Sequence, residues 1–194
     1  MGWTKGSVAA LSLFVMLSGC ALTDVFHRSD SRVVDEEFEV SGRMAIKLGD
    51  EGSSVKINWT HRRDVDAVDI YSPVGSVIAV ILVSPRTGAV IETKDDLFEA
   101  PTAEELTEKV LGWHFPLEGM KYWVRGDVNP NTMLTKSNAS DPIDRLTYFE
   151  QDGWTIAYEK FMEDTKLPKI ISLGYDDLKI RFVIDKWTSL DRDE

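Results

Sequence analysis

Phe38–Thr60, FEVSGRMAIKLGDEGSSVKINWT, is the stretch from which the fold can be read. Phe38, Val40, Gly42, Met44, Ile46 and Leu48 fall on one side of an alternating pattern, and Glu37, Glu39, Ser41, Arg43 and Lys47 fall on the other. Gly49 to Gly52 supply a hairpin turn, after which Val55, Ile57 and Trp59 alternate with Ser54, Lys56, Asn58 and Thr60. A period of two puts successive side chains on opposite faces of a strand. One apolar and one wet face over two adjoining strands is the pattern of antiparallel sheet.

Further strands are predicted over Val65–Tyr71, Ser76–Val83, Ala89–Thr93, Ile143–Glu150, Trp154–Glu159, Lys169–Leu173 and Leu178–Trp187, with Asp152-Gly153 as a tight turn. One stretch breaks the pattern. Thr102-Ala103-Glu104-Glu105 matches a capping box, and Ala103, Leu106, Val110 and Trp113 follow at helical spacing, with Gly112 near the end. A second helix opens at Pro116, carries Leu117, Met120, Tyr122 and Trp123, and stops near Gly126. Two helices cannot cover both faces of a nine- or ten-stranded sheet, but they can plug one concave face. The expected fold class is mainly β with α: one curved sheet with a helical lid, without internal repeat or second domain.

The N-terminus has a different character. Lys5 precedes the ten-residue apolar run Val8–Leu17, too short for the ~20 residues of a spanning helix but suited to a signal peptide. Leu17-Ser18-Gly19-Cys20 then resembles a bacterial lipobox, in which the thiol is diacylated and the chain is cut before the cysteine. An ordinary signal peptide with an incidental cysteine is the alternative. The expected organisation is a lipoprotein signal peptide over 1–19, an acylated N-terminus and tether over 20–36, and one domain over 37–194. Ala21 follows the anchor, where the bacterial pattern for retention at the inner membrane has aspartate, so the outer membrane is the expected destination. Each buried methylene contributes ~0.8 kcal/mol, so two or three chains on Cys20 make a stable anchor.

Composition narrows the function. The chain has 194 residues, with 22 Lys or Arg against 33 Asp or Glu, and a formal net charge of −11. Removing residues 1–19 takes away Lys5 and makes the remainder more acidic by one charge. That balance argues against a nucleic-acid partner and against binding to anionic lipid by charge alone. The single cysteine excludes an intrachain disulfide and a Cys-rich metal site. His27, His61 and His114, assigned to a tether, a loop and a helix end, share no ligand spacing, and neither a nucleophile elbow nor a Walker loop occurs. Asp95-Asp96, Glu104-Glu105 and Asp176-Asp177 are read as turn and helix-start acids. No metal and no cofactor is expected beyond the covalent acyl chains on Cys20, and the chain is not expected to be an enzyme.

Ser72-Pro73-Val74-Gly75 joins two apolar strands, and Pro73 and Gly75 fit a tight turn. A valine between them is unusual, because turn tips normally face water. It is either a buried turn residue or an exposed apolar tip that touches lipid or a partner.

Taken in order, the lipobox, Gly42-Arg43, Trp59, Ser72-Pro73-Val74-Gly75, Gly112-Trp-His-Phe-Pro116-Leu117, Trp123-Val-Arg-Gly126, Gln151-Asp-Gly-Trp154, Tyr158, Leu167-Pro168 and Trp187 resemble the outer-membrane lipoprotein receptor family LolB across essentially the whole mature chain. The resemblance implies an incomplete antiparallel β-barrel enclosing a hydrophobic cavity closed by a helical lid. It implies a receptor that accepts acylated lipoprotein cargo from the periplasmic carrier LolA and places it in the inner leaflet of the outer membrane. It also implies that the Pro73-Val74-Gly75 loop acts in delivery. The family's loop carries an exposed leucine where this chain has Val74. Met44, Ile46, Ile57, Trp59, Leu106, Val110, Met120 and Trp123 are the candidates to line the acyl-chain cavity. From the sequence alone, a dry packed core is the other reading of the same residues. A monomer is expected on the resemblance. A lipid-modifying enzyme and a scaffold lipoprotein of an outer-membrane assembly are the alternatives.

Overall fold

The computed structural model describes residues 37–139 and 145–190. Eleven strands and two helices follow one another as β1 (Phe38–Leu48), β2 (Glu51–Arg62), β3 (Val65–Tyr71), β4 (Val77–Ser84), β5 (Gly88–Thr93), β6 (Leu97–Ala100), α1 (Ala103–Leu111), α2 (Leu117–Trp123), β7 (Leu134–Ala139), β8 (Leu146–Gln151), β9 (Trp154–Phe161), β10 (Pro168–Tyr175) and β11 (Leu178–Ser189). All strands join one antiparallel sheet in the order β6-β5-β4-β3-β2-β1-β11-β10-β9-β8-β7. Among the described residues, only the β1–β11 pairing joins strands distant in sequence. The sheet stays open, because β6 and β7 are its two edges and do not pair with each other.

That order dictates where the helices go. The chain leaves the sheet at one edge and rejoins it at the other, so α1 and α2 form the crossing between them. Their apolar residues face the same core as the inner faces of the strands: Val40, Met44, Trp59, Ile81, Phe149, Ile156, Phe182 and Ile184 join Leu106, Met120 and Trp123 in one buried cluster. The opposite sheet face carries the charged pairs, such as Arg43 with Asp185 and Arg181 with Glu159.

The decisive hairpin is tighter than the sequence suggests. Leu48 pairs with Glu51, so the turn is Gly49-Asp50 alone, and β2 already starts at Glu51. The Asp152-Gly153 turn is present, with both residues at positive φ between the paired Gln151 and Trp154, as a primed hairpin turn requires. Two strands escape the sequence reading. β6, LFEA, is only four residues long, and β7, LTKSNA, is polar and lies at an edge. Neither offers enough alternation to register. The strand expected to open at Ile143 begins, within the described residues, at Leu146, and α2 ends at Trp123 rather than near Gly126.

Gly42 is fixed by contact rather than by backbone angle. A β-bulge separates Ser41 from Gly42 against β11, and a Cβ at position 42 would overlap the Val183 carbonyl oxygen and the Phe182 ring. Gly42→Ala is therefore expected to lower unfolding stability by about 1–3 kcal/mol, the usual cost of overpacking, as measured by urea denaturation.

On the outer face, hydrogen bonds from Arg181 and Ser172 hold the Glu159 carboxyl below its ordinary pKa against a smaller opposing effect of burial. A depressed carboxyl pKa contributes stability that is present above the unfolded value and lost as pH falls through the folded one. Glu159→Gln is expected to flatten the acid limb of the stability profile below the ordinary glutamate pKa. The change is small, because the pair is solvent-screened.

Candidate functional site: a lidded apolar interior and an exposed loop tip

The lid is built from local signals. Thr102, in extended conformation, accepts a hydrogen bond from the Glu105 N–H at 3.2 Å and opens α1. Gly112 closes it in the left-handed conformation, its N–H donating to the Glu108 carbonyl. The linker to α2 is tied back by Thr107, which is buried. Its Oγ1 accepts from the Phe115 N–H at 3.0 Å and donates to the Glu104 carbonyl at 3.2 Å. The Glu104 carboxylate accepts the Glu118 N–H, 3.2 Å away at the start of α2.

The two helices are held by different physics. α1 packs on β5 and β6 at one edge of the sheet, chiefly through apolar side chains. The end of α2 is hydrogen-bonded to the opposite half. Trp123 Nε1 donates to Gln151 Oε1 at 3.0 Å, and the same oxygen accepts the Asn129 N–H at 2.9 Å. Tyr158 donates its hydroxyl to the Trp123 carbonyl at 2.8 Å. Complete burial, with Asp127 nearby, pushes that phenol well above its ordinary pKa, so it remains a donor. Around Trp123, the rings of Phe149 and Trp154 both lie 6.3 Å away, centroid to centroid.

The eight apolar candidates come together. Met44 and Ile46 on β1, Ile57 and Trp59 on β2, Leu106 on α1, and Met120 and Trp123 on α2 are buried in the same cluster, and half-buried Val110 packs against it. These side chains pack on one another. Cys20 lies outside the described residues.

At the other extreme is the β3–β4 turn. The Gly75 N–H donates to the Ser72 carbonyl at 2.9 Å, and the Ser76 N–H to Ser72 Oγ at 3.1 Å. Pro73 occupies the first corner, and Gly75 takes the positive φ (95°) that returns the chain to β4. These bonds close the turn without covering its tip, and Val74 is 89% exposed. The tip is therefore exposed rather than a buried turn residue. The apolar surface continues onto β4, where Val77, Ile78 and Leu82 are also exposed while Ala79 and Ile81 face the core.

Two polar features were not foreseen. His61 lies on β2, not in a loop, and pairs in register with Asp66 on β3. The Asp66 carboxylate sits 2.7 Å from His61 Nδ1 and accepts Trp59 Nε1 at 2.8 Å, all three side chains being buried. Trp59 and His61 share a face two residues apart, so the alternation could have placed them together, but their partner on the next strand required the register. His114 lies between the helices with its ring stacked on Tyr175 at 5.7 Å. Arg125, just beyond α2, is buried. Among the described residues, no group of three His, Cys, Asp or Glu is placed to hold a metal ion, and no helix is long and apolar enough to cross a membrane.

The architecture is an open antiparallel sheet whose two edges are bridged by helices over one apolar interior. The family model described as outer membrane lipoprotein LolB matches residues 36–187, and the chain belongs to that family. It is 30% identical to the outer-membrane lipoprotein LolB of Nitrosomonas europaea, over 91% of this chain and 90% of that one. It is 32% identical to the outer-membrane lipoprotein LolB of Azoarcus sp. strain BH72, over 90% and 91%. Among solved structures, a Vibrio parahaemolyticus domain provisionally described as an outer membrane lipoprotein-sorting protein superposes with a TM-score of 0.54 at 8% identity, covering 82% of this chain and 87% of that one. That likeness concerns the fold alone.

Proposed function

We propose that this chain is a lipoprotein receptor of the outer membrane, anchored through acyl chains on Cys20, that accepts acylated lipoproteins from a LolA-type periplasmic carrier and inserts them into the inner leaflet. The observation that carries the reading is the pairing of a lidded apolar interior with an apolar residue held almost fully in water at the Val74 tip. A triacylated cargo bears on the order of 40 methylenes, so bare passage through water costs roughly 30 kcal/mol at ~0.8 each. A receptor removes that cost by offering continuous apolar contact. The cargo's covalent bonds stay intact, and the role is one of binding and transfer rather than catalysis.

Acyl chains enter where the helices now rest. α1, held mainly by apolar contacts, gives way first, while the hydrogen bonds of Trp123 keep the end of α2 on the sheet. Met44, Ile46, Ile57, Trp59, Leu106, Val110, Met120 and Trp123 then exchange contacts with one another for contacts with hydrocarbon, at little net cost in buried area. The test is transfer from a lipoprotein-loaded carrier to the Cys20→Ala form, which stays unacylated. Cargo is expected to move to the receptor. Cargo that remains on the carrier with both this form and the acylated protein overturns the reading.

A further inference from the structure

Arg125 is 6% exposed, and its Nε has no hydrogen-bond partner. Among the described residues, no carboxylate pairs with its guanidinium, which lies 5.6 Å from the centre of the Tyr122 ring. It lines a cavity of about 350 Å³ where the two ends of the lid meet the β2–β3 and β4–β5 turns, at the end of the strands opposite the Val74 loop. Three of the four acids around that cavity are engaged elsewhere, and the fourth is exposed. Asp66 accepts from Trp59 and His61, Glu118 pairs with Lys121 at 2.8 Å, Glu104 accepts the Glu118 N–H, and Asp64 lies exposed in the β2–β3 turn beside Arg63.

Arginine keeps its charge when buried, and a buried charge without a counter-charge is costly. Its planar fork suits the oxygens of a phosphate or carboxylate. Burial pulls on the neighbouring Lys121 ammonium, but the hydrogen bond and charge of Glu118, with Asp66 behind, hold it in the charged form. One unpaired positive charge calls for one negative charge. A doubly charged anion would also face Asp66 and Glu104, whereas a phosphodiester carries a single charge. The cavity also exceeds what a lone carboxylate fills, and the apolar cluster, with Trp59 and Phe38 edge to face at 5.0 Å, lies just behind its wall. We infer that Arg125 binds the phosphodiester of a glycerophospholipid, with the lipid's chains directed toward the lidded interior.

This site does not depend on cargo transfer, and its test uses neither carrier nor cargo, so failure of either reading leaves the other standing. Calorimetric titration of the full chain carrying Cys20→Ala with dihexanoylphosphatidylglycerol, kept below its micellar concentration, is expected to show one saturable site, weakened at least tenfold by Arg125→Gln. Dihexanoylglycerol, hexanoate and inorganic phosphate are expected to bind at least tenfold more weakly than the phospholipid. Equal phospholipid affinity in the variant overturns the site, and inorganic phosphate or hexanoate matching the phospholipid overturns its assignment to a lipid phosphodiester. A second readout is independent of ligand. Arg125→Met is expected to raise the lipid-free Tm, because it removes an unpaired buried charge. A lowered Tm means that the guanidinium is already satisfied within the protein, and the proposal fails.

Discussion

Val74→Glu is expected to leave acceptance of cargo from the carrier intact and to slow its delivery to membranes by more than tenfold. The argument starts from exposure. Val74 is 89% accessible, so replacing it removes no core contact, and folding and interior binding are unaffected. Full burial of a valine contributes about 1.5–3 kcal/mol, and each ~1.4 kcal/mol is a factor of ten. Glutamate forfeits that gain and adds the cost of bringing a carboxylate to lipid, in a chain whose net charge of −11 already repels an anionic leaflet. Val74→Leu, one methylene longer at ~0.8 kcal/mol, is expected to speed delivery about fourfold. Delivery is measured as transfer of labelled lipoprotein from receptor to vesicles. Unchanged rates with glutamate would remove the loop from the mechanism.

Trp123→Ala carries the largest expected cost in stability, about 3–5 kcal/mol by denaturant unfolding. The ring is fully buried between Phe149 and Trp154, and its loss leaves a void the size of an indole. It also removes the bond to Gln151 that pins the end of α2 to the far half of the sheet. Trp123→Phe separates the two effects. It keeps most of the volume, and Gln151 Oε1 still accepts from Asn129, so a loss of only about 1–2 kcal/mol is expected. Hydrogen exchange provides the functional measure. In the alanine variant, the amides of α2 are expected to lose protection ahead of those of β9 and β10, whereas uniform loss would mean that the anchor is not specific to the lid.

The comparison of strands explains what alternation can and cannot reveal. β1 from Phe38 to Ile46, β2 from Ile57 to His61, β9 from Trp154 to Tyr158 and β11 from Leu178 to Ile184 bury every second residue against a single apolar layer, so their hydrophobic period survives in the sequence. β6 and β7 are edge strands with little to bury, and their pairing is a property of the sheet rather than of their own residues. The apolar interior was legible for the same reason as the core, which is why sequence alone left cavity and core as alternatives. The polar features were hidden because they depend on register. His61 meets Asp66 only through the β2–β3 pairing, and the unpaired Nε of Arg125 depends on where the fold places Asp66, Glu104 and Glu118 and the partners it gives them.

The route of the chain between β6 and β7 has a mechanical consequence. Because the segment carrying α1 and α2 is fastened to both margins of the open sheet, it acts as a strap across a bow. Flattening the sheet draws its margins apart and pulls the strap taut, and relaxing the curvature slackens it. Aperture and lid are therefore one degree of freedom.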